Sequence, residues 1–208
     1  MPTVTAQPQD SRRLIGLTGG IATGKTTVSS YLATVHQLPI LDADRYAREA
    51  VQPRSDIWQR VVDRYGTEIL ADEDHLDRKR LGDIVFHNDE ERHWLESQIH
   101  PYVNQCFADM LAALHDQPTL VLAIPLLFEV GLVEEVTEVW VVSCTEAQQI
   151  ERIIQRDHLT PEQAQARIQA QMPLSEKCGR AQVVLDNSGD RESLQAQIDR
   201  ALLGVAIV

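Results

Sequence analysis

The chain has 208 residues, of which 43% are hydrophobic and 24% charged, which is the composition of a globular protein with a sizeable core. Its net charge of −12 argues against a protein that coats nucleic acid, because such proteins need a basic face, and no apolar run reaches the roughly 18 residues of a membrane-spanning helix. Three widely spaced cysteines argue against a disulfide framework or a zinc site, so we expect a cytoplasmic protein that binds neither nucleic acid nor membrane.

The first two segments are a tail and a strand. Residues 1–12 are polar and have no apolar run, so we predict a flexible tail and no signal peptide. Residues 13–18 form a short apolar run, which predicts a buried strand.

A phosphate-binding motif follows this strand. Residues 19–26 read G-G-I-A-T-G-K-T and fit the P-loop pattern G-x-x-x-x-G-K-S/T, and the apolar residues after them recur at helical spacing. Glycines let backbone N–H groups crowd around phosphates, and the following helix directs its positive end at the same anion. Lys25 is expected to reach the outer phosphates and the Thr26 hydroxyl to bind Mg²⁺. The predicted nucleotide-binding residues of this segment are Gly20, Ile21, Ala22, Thr23, Gly24, Lys25, Thr26 and Thr27. We therefore predict that the chain binds a nucleoside triphosphate or a similar ligand.

Two acids follow the next predicted strand. Residues 39–41 are apolar and predict a second buried strand, and Asp42 and Asp44 follow at its carboxyl end. Ligands of open α/β sheets bind at the carboxyl ends of the strands, so both acids are expected beside the phosphates. Asp42 is a candidate for orienting a metal-bound water, or it satisfies the end of the strand.

From about residue 44 to 117 the apolar pattern is helical. Ser55 is expected to cap a helix that ends at Gly66, and Asp77 to cap another. Pro101 marks either a kink or the first turn of a new helix. This stretch is too long for a simple crossover between strands, so we predict an inserted helical subdomain.

Three further strands are predicted at residues 119–124, 138–142 and 181–185. Continuous apolar strands separated by helices indicate a parallel sheet that is covered on both faces. Between the last two strands, Thr145 and Thr160 begin two helices with capping-box patterns. Arg152 and Arg156 share one face of the first of these helices, and no acid lies three or four residues from either arginine. They are either solvated surface charges or a cationic clamp on a bound anion.

The sequence resembles the dephospho-coenzyme A kinases. The resemblance covers about residues 13–200 in the right order, and its most specific segments are D-A-D-x-x-A-R at 42–48 and P-L-L-F-E at 125–129. Ala22 and Thr23 stand where the family usually has Gly and Ser, and Ala123 leaves no acid at the end of the third strand. An acid at that position would be a candidate for anchoring the metal, and Glu129 is the alternative candidate in this chain. The matching segments are residues 16–21, 24–28, 42–48, 76–81, 99–101, 125–129, 148–156, 171–173 and 186–189.

The resemblance implies a P-loop NTPase fold of the nucleoside-monophosphate-kinase type, with a five-stranded parallel sheet flanked by helices. After the tail, residues 13–204 would form one domain. It would comprise a core (about 13–43, 118–145 and 178–204), a helical CoA-binding subdomain (about 44–117) and a helical lid (about 146–177). A monomer or a weak homo-oligomer is expected.

The resemblance also implies a reaction, in which the γ-phosphoryl of ATP is transferred to the 3′-hydroxyl of the ribose of dephospho-CoA, with Mg²⁺ as cofactor. Asp44 would be the general base, or else it would only cap a helix. Arg152 and Arg156 would close over the phosphates together with Lys25. Arg48 and Arg78 are candidates for substrate contact or else ordinary surface charges, and His100 is either a substrate contact or a helix-capping or packing residue. Asn187 and Gly189 would lie beside the adenine.

Two other functions fit the P-loop. One is another small-molecule kinase, such as a nucleoside or nucleotide kinase. The other is a switch or assembly factor that binds a nucleotide and signals its state.

Overall fold

A computed structural model of the chain describes residues 12–204, except for the side chain of Glu73. All but the last residue of the predicted tail, 1–12, lie outside this range. The described chain divides into two compact units, one formed by residues before 42 and after 115, and the other by Asp42–His115.

A five-stranded parallel sheet forms the centre of the first unit, as the sequence predicts. Its strands are β1 (Arg13–Gly19), β2 (Ile40–Asp42), β3 (Thr119–Ala123), β4 (Glu138–Ser143) and β5 (Val183–Asp186), in the order β2-β3-β1-β4-β5. β1 is central, and it pairs in parallel with β3 and β4, while β5 continues the sheet beside β4. The central position explains why β1 is buried from Ile15 to Gly19 and why the loop after it lies at the middle of the sheet edge.

Two helices pack against this sheet and close its core. They are α1 (Lys25–Thr34), directly after the phosphate-binding loop, and α9 (Arg191–Leu202). Leu17 and Trp140 of the sheet pack with Leu32 of α1 and Ile198 of α9, and all four side chains are fully buried. Burial of one such side chain stabilises a fold by about 1.5–3 kcal/mol, so the strand before the loop and the helix after it are both anchored in this core.

The remaining helices of the first unit are α6 (Glu146–Asp157), α7 (Pro161–Gln169) and α8 (Leu174–Gly179), and Leu132–Glu135 form a 3₁₀ turn. Both predicted capping boxes are present. The Thr145 hydroxyl accepts from the N–H of Gln148 while the Gln148 side chain bonds back to Thr145, and Thr160 and Gln163 do the same at α7. These reciprocal bonds explain why both helix starts could be read from the sequence.

The second unit is helical. It contains α2 (Ala43–Ala50), α3 (Asp56–Tyr65), α4 (Arg78–His87) and α5 (Asp89–Ala113), with 3₁₀ turns at Thr67–Ile69 and Asp72–Asp74. Trp58, Val61 and Leu81 are buried together in its centre. The predicted caps Ser55 and Asp77 both accept backbone N–H groups. The prediction of a new helix at Pro101 is wrong, because α5 continues through this residue.

Across residues 12–204, no helix is both long enough and apolar enough to span a membrane.

Candidate active site

The phosphate-binding loop joins β1 to α1 and is tightly folded. Thr23 is fully buried, and its hydroxyl donates to the carbonyl of Gly20 at 2.9 Å. Ala22 has a left-handed φ of 59°, and Gly24, the N-cap of α1, has a φ of 103°. Lys25 and Thr26 are the first two residues of the helix. A loop folded in this way at a helix N-terminus directs peptide N–H groups and the positive end of the helix dipole to one point, which suits it to bind phosphates.

The glycines of this loop leave no room for side chains. A Cβ added to Gly19 would lie 2.6 Å from two oxygen atoms, and one added to Gly20 would lie 2.7 Å from the Gln149 side-chain nitrogen. At Gly24 it would lie 2.1 Å from Nδ2 of Asn187. Close packing against the Val142 backbone therefore favours glycine at position 19, and the positive φ favours it at position 24.

Two glutamines from the later part of the chain hold Ile21 in the loop. The nearly buried Gln149 of α6 donates from Nε2 to the Ile21 carbonyl at 2.7 Å. The Ile21 N–H donates in turn to Oε1 of Gln171 at 2.8 Å. Neither glutamine was predicted to have a role, although both lie in segments that carry the family resemblance. Their signal was too weak, because a glutamine in a helix or turn is usually a surface residue.

Arg152 lies against the same loop. Its guanidinium donates from Nη1 to the carbonyls of Ala22 and Thr23 at 3.2 and 3.4 Å, and from Nη2 to the carbonyl of Asn187 at 3.1 Å. The Asn187 side chain completes the contact, since its Nδ2 donates to the Thr23 carbonyl at 2.7 Å. The structure therefore brings Arg152, Asn187 and the loop together. Gly189 follows Asn187 in the connection between β5 and α9.

Arg156 differs from Arg152. It is exposed, and its Nε and Nη2 donate to the two carboxylate oxygens of Asp157 at 2.8 and 2.9 Å. This pair raises the pKa of Arg156 and lowers the pKa of Asp157. No acid lies three or four residues from Arg156, but its acidic partner is the next residue in the chain.

Asp42 and Asp44 belong to the helical unit. Asp42 is the N-cap of α2, and its Oδ1 accepts from the N–H groups of Asp44 and Arg45 at 2.9 and 3.3 Å. The alternative interpretation of Asp44 as the cap is therefore wrong. Asp44 is an exposed acid in the first turn of the helix, where its charge is favourably placed relative to the helix dipole.

The three predicted substrate-binding residues also lie in the helical unit. Arg48 is in the last turn of α2, Arg78 is the first residue of α4, and His100 is in α5, next to Pro101. All three side chains are exposed, so each is accessible to a ligand.

A family model described as dephospho-CoA kinase matches residues 13–193 of this chain. The chain belongs to the dephospho-CoA kinase family. A dephospho-CoA kinase from Trichormus variabilis is 57% identical over 192 residues, which are 92% of this chain and 97% of that protein. A crystal structure from Thermus thermophilus has a TM-score of 0.78 and 32% identity, and covers 94% of this chain and 99% of its own. A dephospho-CoA kinase from Campylobacter jejuni has a TM-score of 0.66 and 26% identity, with coverages of 91% and 95%.

One departure from the dephospho-CoA kinase pattern has a structural explanation. The family usually has glycine at the position of Ala22, and the left-handed φ of 59° observed there is one that glycine adopts without strain. Ala22 therefore carries a backbone strain that a glycine at this position would relieve.

An ion pair between Lys177 and Glu129, of which only the lysine is fully buried, was not predicted from the sequence. The fully buried Lys177 of α8 places Nζ 2.8 Å from Oε1 of Glu129, which also accepts from the N–H of Met172 at 3.1 Å. Glu129, proposed from the sequence as an alternative metal-anchoring acid, is thus paired with an ammonium group. No periodic pattern marks such a pair, since its members are far apart in the chain.

Proposed function

We infer that the chain is a dephospho-CoA kinase, which transfers the γ-phosphoryl of ATP to the 3′-hydroxyl of the ribose of dephospho-CoA and yields CoA and ADP. The observation that carries this inference is the match to the family over residues 13–193, with the phosphate-binding loop folded between β1 and α1 inside it. Membership favours this function over a nucleoside kinase or a nucleotide-dependent switch.

ATP would bind to the loop. Phosphoryl transfer depends mainly on positioning and charge neutralisation, and Lys25 at the helix N-terminus supplies a cation for the outer phosphates. Arg152 lies against the loop carbonyls and would balance the charge that develops on the transferred group. Arg156 would join Arg152 after its guanidinium exchanges the Asp157 carboxylate for a phosphate oxygen. Residues 146–177, which include helices α6 and α7, would then act as the lid over the bound nucleotide.

Mg²⁺ would be held by Thr26 and Asp42. A hydroxyl and a carboxylate are the hard oxygen donors that this ion prefers. The two N–H groups that Asp42 caps both bond to Oδ1, so its other carboxylate oxygen, Oδ2, would be the donor for the ion. Bound Mg²⁺ neutralises charge on the β- and γ-phosphates.

Asp44 would act as the general base. It is an exposed carboxylate at the start of α2 and would accept the proton of the ribose hydroxyl as that oxygen attacks the γ-phosphorus. Arg48, Arg78 and His100 would bind the substrate on the helical unit, which is the proposed CoA-binding subdomain. The cytoplasmic location, the lack of nucleic-acid binding and the monomeric or weakly associating state stay predictions.

The test is a coupled assay of ADP release with dephospho-CoA as acceptor. We expect Lys25→Ala to abolish ADP release, and Asp44→Asn to lower turnover by about 10²–10⁴-fold while ATP binding is retained. Asp56→Asn is the matched control, since Asp56 is likewise an acid in the first turn of a helix of the same unit. Unchanged turnover of Asp44→Asn would remove Asp44 from the mechanism. ADP release that is no faster with dephospho-CoA than with water, or faster with nucleosides, would refute the proposed function.

A further inference from the structure

Lys177 is a fully buried lysine for which the mechanism above has no use. The sequence contains three lysines; Lys25 is half-buried at the loop, Lys79 is exposed, and Lys177 is 0% exposed. Burial of an ammonium group costs much of its hydration energy, so a fully buried lysine needs close polar partners.

The partners of Lys177 connect it to the phosphate-binding loop. Besides the Glu129 carboxylate at 2.8 Å, Nζ faces the carbonyl of Gly19 and the carbonyl of Pro125, each at 3.5 Å. At this length the two carbonyl contacts are mainly electrostatic. The Pro125 carbonyl also accepts from the hydroxyl of Thr18 at 2.9 Å, which fixes it beside the end of β1.

The Gly19 carbonyl belongs to the first peptide of the loop. In a planar trans peptide the C=O and the N–H point in opposite directions. An ammonium group that attracts the Gly19 carbonyl on the inner side therefore directs the Gly20 N–H outward, away from Lys177. The charge of Lys177 lies in the protein interior, where it is screened less than a surface charge.

We propose that Lys177 is a positioning residue for nucleotide binding. Its ammonium group orients the first peptide of the loop and adds positive potential beneath the phosphate site, and Glu129 is the counter-ion that holds it there. The proposal assigns no contact between Lys177 and the nucleotide. It rests on the proposed function only in that ATP is the ligand of the loop.

The alternative is a pair that serves stability alone, in which Lys177 neutralises Glu129 and a neutral pair would serve equally well. Three variants separate the two roles: Lys177→Met, Glu129→Gln, and the double variant with both changes. Glutamine keeps a side-chain carbonyl oxygen that can accept from the Met172 N–H. Lys79→Met is the control for loss of an exposed lysine in the other unit.

The measurement is the Kd of Mg·ATP by calorimetry, alongside the melting temperature of each protein. We expect Lys177→Met and the double variant to bind Mg·ATP about 10-fold or more weakly, the effect of losing an interaction with a charged group. Glu129→Gln is expected to melt at a lower temperature than wild type. Its Kd for Mg·ATP should stay within about threefold of the wild-type value, well below the tenfold change expected for Lys177→Met. Lys79→Met should match wild type in both measurements.

The double variant decides the question. If it melts near wild type and its Kd for Mg·ATP remains raised, the positive charge itself contributes to nucleotide binding. If its Kd returns to the wild-type value, or if Glu129→Gln binds as weakly as Lys177→Met, the pair is only structural and the proposal is wrong. Neither readout requires an acceptor, so wild-type protein that binds Mg·ATP without phosphorylating dephospho-CoA would refute the proposed function and leave this test intact.

Discussion

Replacement of Gly24 by alanine tests whether the loop tolerates any side chain at the start of α1. Gly24 has a φ of 103°, and a Cβ built there would lie 2.1 Å from Nδ2 of Asn187. Because that atom is at the end of a side chain, Asn187 can move away, but it then loses its 2.7 Å hydrogen bond to the Thr23 carbonyl.

The expected cost has two parts. A left-handed conformation costs a non-glycine residue about 1–2 kcal/mol, and the lost hydrogen bond costs about 0.5–1.5 kcal/mol. Together they lower the free energy of unfolding by about 1.5–3.5 kcal/mol. For a domain of this size each kcal/mol shifts the melting temperature by about 2–4 °C, so we expect Gly24→Ala to melt about 3–14 °C lower.

Urea unfolding and thermal melting of purified protein provide the measurement. In an Asn187→Ala background the overlap is absent, so the cost of Gly24→Ala should fall to the backbone part of about 1–2 kcal/mol. Gly82→Ala is the control of opposite sign. Gly82 lies inside α4 with nothing near its Cβ position, and alanine there should stabilise by about 0.5–1 kcal/mol. A Gly24→Ala protein that melts at the wild-type temperature would show that the loop geometry described above is wrong.

Three further perturbations have defined outcomes. Ala22→Gly should raise the free energy of unfolding by about 0.5–1 kcal/mol, because relief of about 1–2 kcal/mol of strain exceeds the entropic cost of glycine. The control is Ala196→Gly on the exposed face of α9, which should lower the free energy of unfolding by a similar amount. Urea unfolding measures both. The Arg64 guanidinium, with a tyrosine hydroxyl, holds the pKa of Glu91 at about 2 against an ordinary 4.5, so this contribution to stability is complete above pH 4.5 and is lost as the pH falls through 2. Glu91→Gln should therefore flatten the fall in unfolding free energy across that range, and an unchanged slope would show that another group causes it. Arg152→Ala should lower turnover in the ADP-release assay by about 10²–10³-fold, and wild-type turnover would exclude Arg152 from the phosphate site.

Local signals made much of this fold predictable. The loop could be located because its glycines, Lys25 and Thr26 stand at fixed spacing between an apolar strand and an amphipathic helix. Ser55 and Asp77 were identified as caps because a capping side chain bonds within two or three residues of itself. In each case the interaction that decides the structure lies within a few neighbouring residues.

The errors have physical causes of a different kind. Asp42 and Asp44 are both acids at the start of a helix, and the cap is Asp42 because it is the residue with extended backbone, φ −109° and ψ 113°. Pro101 should interrupt a helix, but the buried side chains Val103 and Phe107 after it pack in the helical unit and keep α5 continuous. Local propensity was outweighed by packing at this point.

The supports of the loop could not be predicted from the sequence. Gln149, Gln171 and Lys177 each contact the loop from a segment more than a hundred residues later in the chain, through single hydrogen bonds or charges. Such contacts leave no periodicity or spacing in the sequence, so only coordinates reveal them.

The fate of the γ-phosphate tests the proposed function most directly. Wild-type protein is incubated with dephospho-CoA and with ATP radiolabelled in its γ-phosphate, and the products are separated by chromatography. A dephospho-CoA kinase is expected to place the label in CoA, from which a phosphatase specific for 3′-phosphates removes it, while Lys25→Ala transfers none. Label found only in inorganic phosphate, or in a phosphorylated nucleoside when one is supplied instead, would contradict the assignment.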